Sequence, residues 1–381
     1  MKVTHATGLV ILCFYLLACT EPETAEHSEQ ETAAPVSASM VDTKPQTEIL
    51  DHFEVGEDVY VRSLAVEARS QTLWVGTSLG VHEVDLKNRE LRNTFTRDHG
   101  LANEYVFGIG IDADGYKWFG TNAGGMSRYR DGDWKTFFPM HGLADYWIYA
   151  FANDPDGGLW IGTWAGANYL NRKTGEFKTY VKELINEWVY GIAVDSHGAI
   201  WFGTEGGVTR FERDSWTSWS HEDGIGGDNP DALPFSRNTG LGTRSRHDLG
   251  IMAEGKPTYN PNYVFCILSD QEDTIWAGTW GGGVARFKDG QWTNLMEKDG
   301  LAGNIVYSMA QDKSGVYWFG TNKGLSRYDG TRWYNWNIHN GLASNHVYAI
   351  AINDNEIWVG TRGAVTRLGI RTAAESREPL S

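Results

Sequence analysis

The stretch KSGVYWFGTNKGLSRYDGTRW, residues 313–333, holds the pattern on which the fold turns. Its centre, Trp318-Phe319-Gly320-Thr321, is one instance of W-x-G-T. The same pattern begins at Trp74, Trp118, Trp160, Trp201, Trp276 and Trp358. Successive starts lie 44, 42, 41, 75, 42 and 40 residues apart. A fixed period of about 40 residues marks a repeat architecture. The one long step is a single insertion.

Each repeat reads as four short strands. The first is an alternating run such as Val347-Tyr348-Ala349-Ile350-Ala351-Ile352. A D-x-x-G turn follows, as at Asp112–Gly115 and Asp312–Gly315, and the second strand carries W-x-G-T. The third strand resembles Leu325–Tyr328 and ends in an Asp-Gly hairpin turn such as Asp329-Gly330. The fourth starts near Trp134, Trp216, Trp292 or Trp333 and leads into a Gly-Leu loop. Seven such units predict an all-β fold, a single seven-bladed propeller of four-stranded antiparallel blades. A solenoid would need terminal caps. Here the last repeat stops after its third strand, near Leu368. The segment Ile49–Val55 supplies the missing fourth strand, so the ring is expected to close through its N-terminal strand.

Composition agrees. The 45 glycines suit turns and close backbone approach, and the 17 tryptophans suit repeated packing or aromatic binding surfaces. A net charge of −16 without a basic stripe argues against nucleic acid as a partner.

The N-terminus reads as an export segment. Lys2 precedes the apolar run Gly8–Ala18, which is too short for a stable membrane span. Leu16-Leu17-Ala18-Cys19 resembles the bacterial lipobox. That resemblance implies a signal at 1–18, lipid on Cys19 and, with Thr20 following, the outer membrane. A plain secretory signal with an incidental cysteine is the alternative. Residues 19–48, rich in Glu, Thr, Ser, Ala and Pro, read as a flexible tether. The propeller then spans 49–370, with a disordered tail at 371–381. Cys266 is the one cysteine left in the folded part, so no internal disulfide is expected.

Residues 313–333 and the unit ADGYKWFGTNAGGMSRYRDGDW at 113–134 look like the two-component-regulator propeller repeat of bacteria. The resemblance runs over about residues 49–370. In that family such repeats form periplasmic sensor parts of hybrid histidine kinases, many from polysaccharide-degrading bacteria. This chain shows one propeller and no kinase segment, so what the resemblance implies is the fold and ligand binding outside the cytoplasm.

Residues that recur are scaffold; departures are the candidates. Two repeat positions carry the unusual residues. The first, at the start of strand one, reads Tyr60, Tyr105, Trp147, Trp188, Tyr263, Ile305 and His346. The second, after the W-x-G-T threonine, reads Ser78, Asn122, Trp164, Glu205, Trp280, Asn322 and Arg362. Both fall in loops on one side of a propeller and rim its channel. Aromatic faces beside charged and amide groups suit sugar rings; the alternative is that they plug the mouth. Inside the channel the next position holds Arg62, Phe107, Tyr149, Tyr190, Phe265, Tyr307 and Tyr348. Arg62 breaks an aromatic pattern and is either a ligand anchor or an ion-pair partner. The insertion, about 224–260, should leave from the same rim as a lid or a surface decoration. Its Arg237, Arg244, Arg246 and His247 could meet an anion.

The ligand-binding set is therefore Arg62, Tyr105, Trp147, Trp164, Trp188, Glu205, Tyr263, Trp280, His346 and Arg362. No zinc motif, nucleophile elbow or phosphate loop is present, so no metal or other cofactor is expected. A binding module for a glycan or other small ligand is the leading expectation. A polysaccharide lyase recruiting His346, Arg362, Arg62, His247 and Tyr348 is one alternative. A protein-interaction scaffold with a protein partner is the other.

Overall fold

The structure is a computed structural model that describes residues 47–235 and 258–370. The signal, Cys19, the tether up to residue 46, the insertion's centre with Arg237, Arg244, Arg246 and His247, and residues 371–381 lie outside the described residues.

The described residues form seven four-stranded antiparallel sheets. Six blades are contiguous in sequence, each running from an inner strand to an outer one. Their inner strands are Val61–Glu67, Val106–Ile111, Ile148–Asn153, Val189–Val194, Asn260–Ser269 and Val306–Gln311. The seventh blade combines Ala349–Asn353, Glu356–Gly360 and Ala364–Ile370 with the N-terminal strand β1 (Thr47–Glu54) as its outer strand. β1 pairs Ile49 with Leu368 and Phe53 with Val365. It also takes in Thr47 and Glu48, which the sequence reading placed in the tether. The reason is that the preceding strand continues to Ile370, giving those two residues Ile370 and Gly369 as partners. Side chains fasten the seam: Arg367 pairs with Asp51 at 2.6 Å, and His52 Nδ1 shares a 2.8 Å hydrogen bond with Thr366 Oγ1.

Each letter of W-x-G-T has a job. The seven tryptophans are buried and pack between neighbouring blades, as Trp74 does on Phe119 at 5.8 Å and Trp160 on Phe202 at 5.4 Å. The glycine faces the inner strand of the next blade. A Cβ on Gly120 would stand 2.7 Å from the Ile148 carbonyl oxygen, and one on Gly360 2.5 Å from the Val61 side chain. The threonine hydroxyl donates across its own hairpin, for example Thr163 to the Gly166 carbonyl at 2.7 Å.

The turn aspartate completes the set. In five blades its carboxylate accepts the indole N–H of the tryptophan six residues on, at 2.7 to 3.1 Å: Asp112–Trp118, Asp154–Trp160, Asp195–Trp201, Asp270–Trp276 and Asp312–Trp318. In blade one Glu67 takes this role for Trp74 at 3.1 Å. Blade seven has a tighter turn, and Ile352 occupies the equivalent place. There the Trp358 indole N–H has no acceptor among the described residues.

The Gly-Leu loops are single-turn 3-10 helices closed by a glycine in the left-handed region, such as Gly100 at φ 112°. His99 and His141 at the ends of two of these turns accept the backbone N–H of Thr96 and Phe138 through Nδ1.

Candidate functional site

The two rim positions meet in space because the backbone joins them. The N–H of the second donates to the carbonyl of the first in Ser78–Tyr60 (2.9 Å), Asn122–Tyr105 (2.9 Å), Trp164–Trp147 (3.2 Å), Glu205–Trp188 (3.2 Å) and Asn322–Ile305 (3.0 Å). A short polar residue two places earlier sets the first position. Asn103, Asp145 and Asn186 accept the N–H of Tyr105, Trp147 and Trp188 at 2.9, 3.0 and 2.8 Å. These are Asx turns, which fix the chain just before the inner strand starts.

One step inward lies a closed circle. Successive ring centroids are 4.8 Å apart for Phe107–Tyr149, 4.8 Å for Tyr149–Tyr190, 5.6 Å for Tyr190–Phe265, 5.8 Å for Phe265–Tyr307 and 5.1 Å for Tyr307–Tyr348. Arg62 completes it. Its guanidinium carbon lies 4.8 Å from the Tyr348 ring and 5.8 Å from the Phe107 ring. The ring position is thus filled by six aromatics and one cation in cation–π contact with both neighbours. At this level lies a cavity of about 260 Å³, lined by three consecutive residues from each of the seven blades, at or just before the inner strand.

The mouth is not symmetric. Around blades three to six, Trp164, Trp188, Tyr263 and Trp280 are only 2, 5, 2 and 8 % exposed and form one aromatic cluster with Tyr190 and Ile305. Glu205 is buried there too and accepts the Tyr190 hydroxyl at 3.3 Å. The Trp280 indole donates to Thr258 Oγ1 at 2.9 Å, under the C-terminal leg of the insertion. That leg is anchored to the N-terminal one through the Tyr259 hydroxyl on the Gly227 carbonyl and the Tyr259 N–H on the Pro234 carbonyl. Both legs therefore stand on the rim beside Trp280. On this side the candidate residues fill the mouth.

On the other side the described rim residues are only part-buried or exposed. Arg62, Tyr105 and Trp147 are half-buried, and His346 and Arg362 are exposed. Arg362 hydrogen-bonds Asp58, and its guanidinium carbon lies 5.6 Å from the Tyr60 ring. His346 stacks on Tyr348 at 6.0 Å and leans on Tyr307 at 6.3 Å. The water lost to these rings lowers the His346 pKa, which favours a neutral imidazole at pH 7. Burial raises Tyr149 and Tyr190 well above the ordinary phenol range, so both keep their protons. Burial also pushes up the Cys266 thiol, which faces the Val306 carbonyl, so it stays protonated at neutral pH.

The sequence reading thus gathered ten residues at one mouth, and the structure divides them. Five pack into its closed side: Trp164, Trp188, Glu205, Tyr263 and Trp280. Five border its open side: Arg62, Tyr105, Trp147, His346 and Arg362. Tyr60 and Tyr348, not in that set, connect Arg362 to Arg62, with their rings 5.7 Å apart. Among the described residues no cluster of three or more His, Cys, Asp or Glu could hold a metal ion. No helix among them is long and apolar enough to cross a membrane.

A family model described as two component regulator propeller matches residues 142–165, 183–206, 258–281, 300–323 and 341–363. Each match runs from a Gly-Leu turn or the segment before an inner strand to the end of W-x-G-T or just past it. No curated protein matches the sequence. Among solved structures, the extracellular domain of a hybrid two component system from B. thetaiotaomicron is similar at 20 % identity and a TM-score of 0.66. That match covers 85 % of this chain and 41 % of the other, so this chain spans about two fifths of its length. Virginiamycin B lyase from Staphylococcus aureus is similar at 13 % identity and a TM-score of 0.62, over 85 % of this chain and all of the other. PorZ, a surface component of the type-IX secretion system of Porphyromonas gingivalis, is similar at 14 % identity and a TM-score of 0.57, over 82 % of this chain and 47 % of the other. At these identities the likeness is one of fold.

Proposed function

The chain belongs to the two component regulator propeller repeat family, and from that premise we propose that it is a sensor-like binding propeller working outside the cytoplasm. Its ligand is a glycan or other small molecule taken at the channel mouth. One observation carries the reading: the mouth is packed shut from Trp164 of blade three round to blade six, while the rim over blades seven, one and two, up to Trp147 at the leading edge of blade three, is part-exposed. The open part offers Tyr105 and Trp147 as stacking faces and Arg62, His346 and Arg362 as polar partners. An apolar wall with a few convergent polar groups is what a small-ligand site needs.

A thermal-shift screen over oligosaccharides tests this, because a ligand selective for the native state raises its melting temperature. Trp147→Ala should abolish the shift and, because Trp147 is half-buried against Trp164, lower the stability of the unliganded protein by less than the loss of a fully buried indole does. Trp280→Ala removes a buried indole and should cost about 3–5 kcal/mol of stability. If Trp147→Ala leaves every ligand shift intact, the open side is not the site.

The lipobox-like Leu16–Cys19 supports anchoring through a lipid on Cys19, at the outer membrane. Cys19→Ser should then move the protein from the membrane fraction to the soluble one. Retention in the membrane would refute the anchor. A lyase reading has one observation in its favour: a largely neutral His346 stands beside Tyr348 and, beyond it, Arg62. A base, a phenol and a cation in line fit proton abstraction beside a carboxylate. Incubation with uronate polysaccharides should then release unsaturated products, and their absence removes this reading.

A further inference from the structure

The channel ring obeys one rule at six positions and breaks it at the seventh. Where the other inner strands supply Phe or Tyr, the first supplies Arg62. Its guanidinium is always charged and carries five N–H donors. The flanking faces of Tyr348 and Phe107 attract that charge but do not provide a carboxylate. Among the described residues no carboxylate lies within ion-pair distance of Arg62, and Arg62 lines the cavity. A half-buried guanidinium so placed calls for an oxyanion with matching planar acceptors.

The surroundings favour the same guest. Tyr149, Tyr190, Tyr307 and Tyr348 put phenol groups into the same circle, and burial keeps Tyr149 and Tyr190 protonated and uncharged, so neither repels an anion. The buried Glu205, which accepts the Tyr190 hydroxyl, belongs to blade four on the closed side, not to the blades beside Arg62. A cavity of about 260 Å³ lies near the small end of ligand sites, roughly 300 Å³. It suits one acidic sugar unit, with the rest of the ligand lying over Tyr105 and Trp147.

We infer that Arg62 seats an oxyanion, so the ligand is an acidic saccharide bearing a carboxylate or sulfate group. This rests on the binding reading above and narrows its ligand class. An arginine kept for a ligand where an aromatic would complete the ring also costs the free protein stability.

Isothermal titration with trigalacturonate, galactotriose and sulfated galactotriose tests the inference, with melting curves on the free proteins. Trigalacturonate or its sulfated analogue should bind the wild type at least tenfold more tightly than galactotriose. Whichever of the two binds identifies the acid group. Arg62→Tyr should lose that preference and melt a few degrees higher than the wild type; Arg62→Gln should lose the preference without needing to fit a new ring. Equal affinity for neutral and acidic probes, unaffected by either substitution, overturns the anion seat. If Trp147→Ala still weakens both probes in that case, the binding reading survives alone. If no probe binds, both fall. An Arg62→Tyr protein that melts well below the wild type shows Arg62 to be a structural keystone and overturns the inference as well.

Discussion

Asp270 shows how much one repeated side chain carries. Its carboxylate accepts the backbone N–H of Glu272 and Thr274, both at 2.8 Å, the Trp276 indole at 2.9 Å and the Tyr317 hydroxyl of the next blade at 2.7 Å. Burial alone would raise its pKa. The hydrogen bonds, led by Trp276 and Tyr317, outweigh that and hold the carboxyl below its ordinary value of 3.8. A carboxyl depressed in the folded state contributes stability above the unfolded pKa and loses it as pH falls through the folded one. Asp270→Asn should therefore lower stability at pH 7 by about 1–3 kcal/mol. The gap to the wild type should shrink as the pH drops below 3.8. Melting curves at neutral and acid pH check this. A gap that stays constant would mean that the negative charge contributes nothing.

At the scale of elements, the closing strand is the most exposed claim. Deleting residues 47–54 removes the outer strand of blade seven and the Asp51 and His52 contacts to its neighbour. The deletion leaves the strand Ala364–Ile370 with an unpaired edge, so the melting temperature should fall sharply. An unchanged value contradicts closure through β1. This seam was legible in the sequence because repetition exposes a missing part. Seven copies of W-x-G-T set a four-strand template, the last copy ran short, and Ile49–Val55 fitted the gap. The rim pairing was legible for the same reason, since equal offsets from a repeated threonine land in equal loops. The Asp–Trp bond had a signal too, an aspartate six residues before the tryptophan in five copies. It was missed because the Asp was read only as the start of a turn. At Asp270 the turn lacks its glycine, and Asp273 takes a φ of 58° instead. What the repeat could not show was which rim aromatics face water. Trp147 and Trp164 are close neighbours, with ring centroids 5.0 Å apart, yet one is half-buried and the other only 2 % exposed. That difference depends on contacts between blades, which periodicity does not encode.

Across the propeller, regularity and function separate by depth and by side. The buried framework follows the seven-fold rule, with substitutions that keep its chemistry, such as Glu67 for the turn aspartate. Departures collect at one mouth: Arg62 among six aromatics, the insertion between blades four and five, and a rim closed on one side only. Some of the exposed apolar residues sit in the loops that lead into inner strands. Met140 and Tyr146 precede the inner strand of blade three, and Val181 and Ile185 precede that of blade four. The central claim is that the ligand lies on the open side of this mouth. Indole N–H spectra of ¹⁵N-tryptophan-labelled protein, recorded with and without a saturating acidic oligosaccharide, test it most directly. The Trp147 resonance should shift strongly, while those of the blade tryptophans Trp318 and Trp358 stay in place. A ligand that binds but moves only blade or outer-strand resonances, leaving Trp147 unchanged, would contradict the claim.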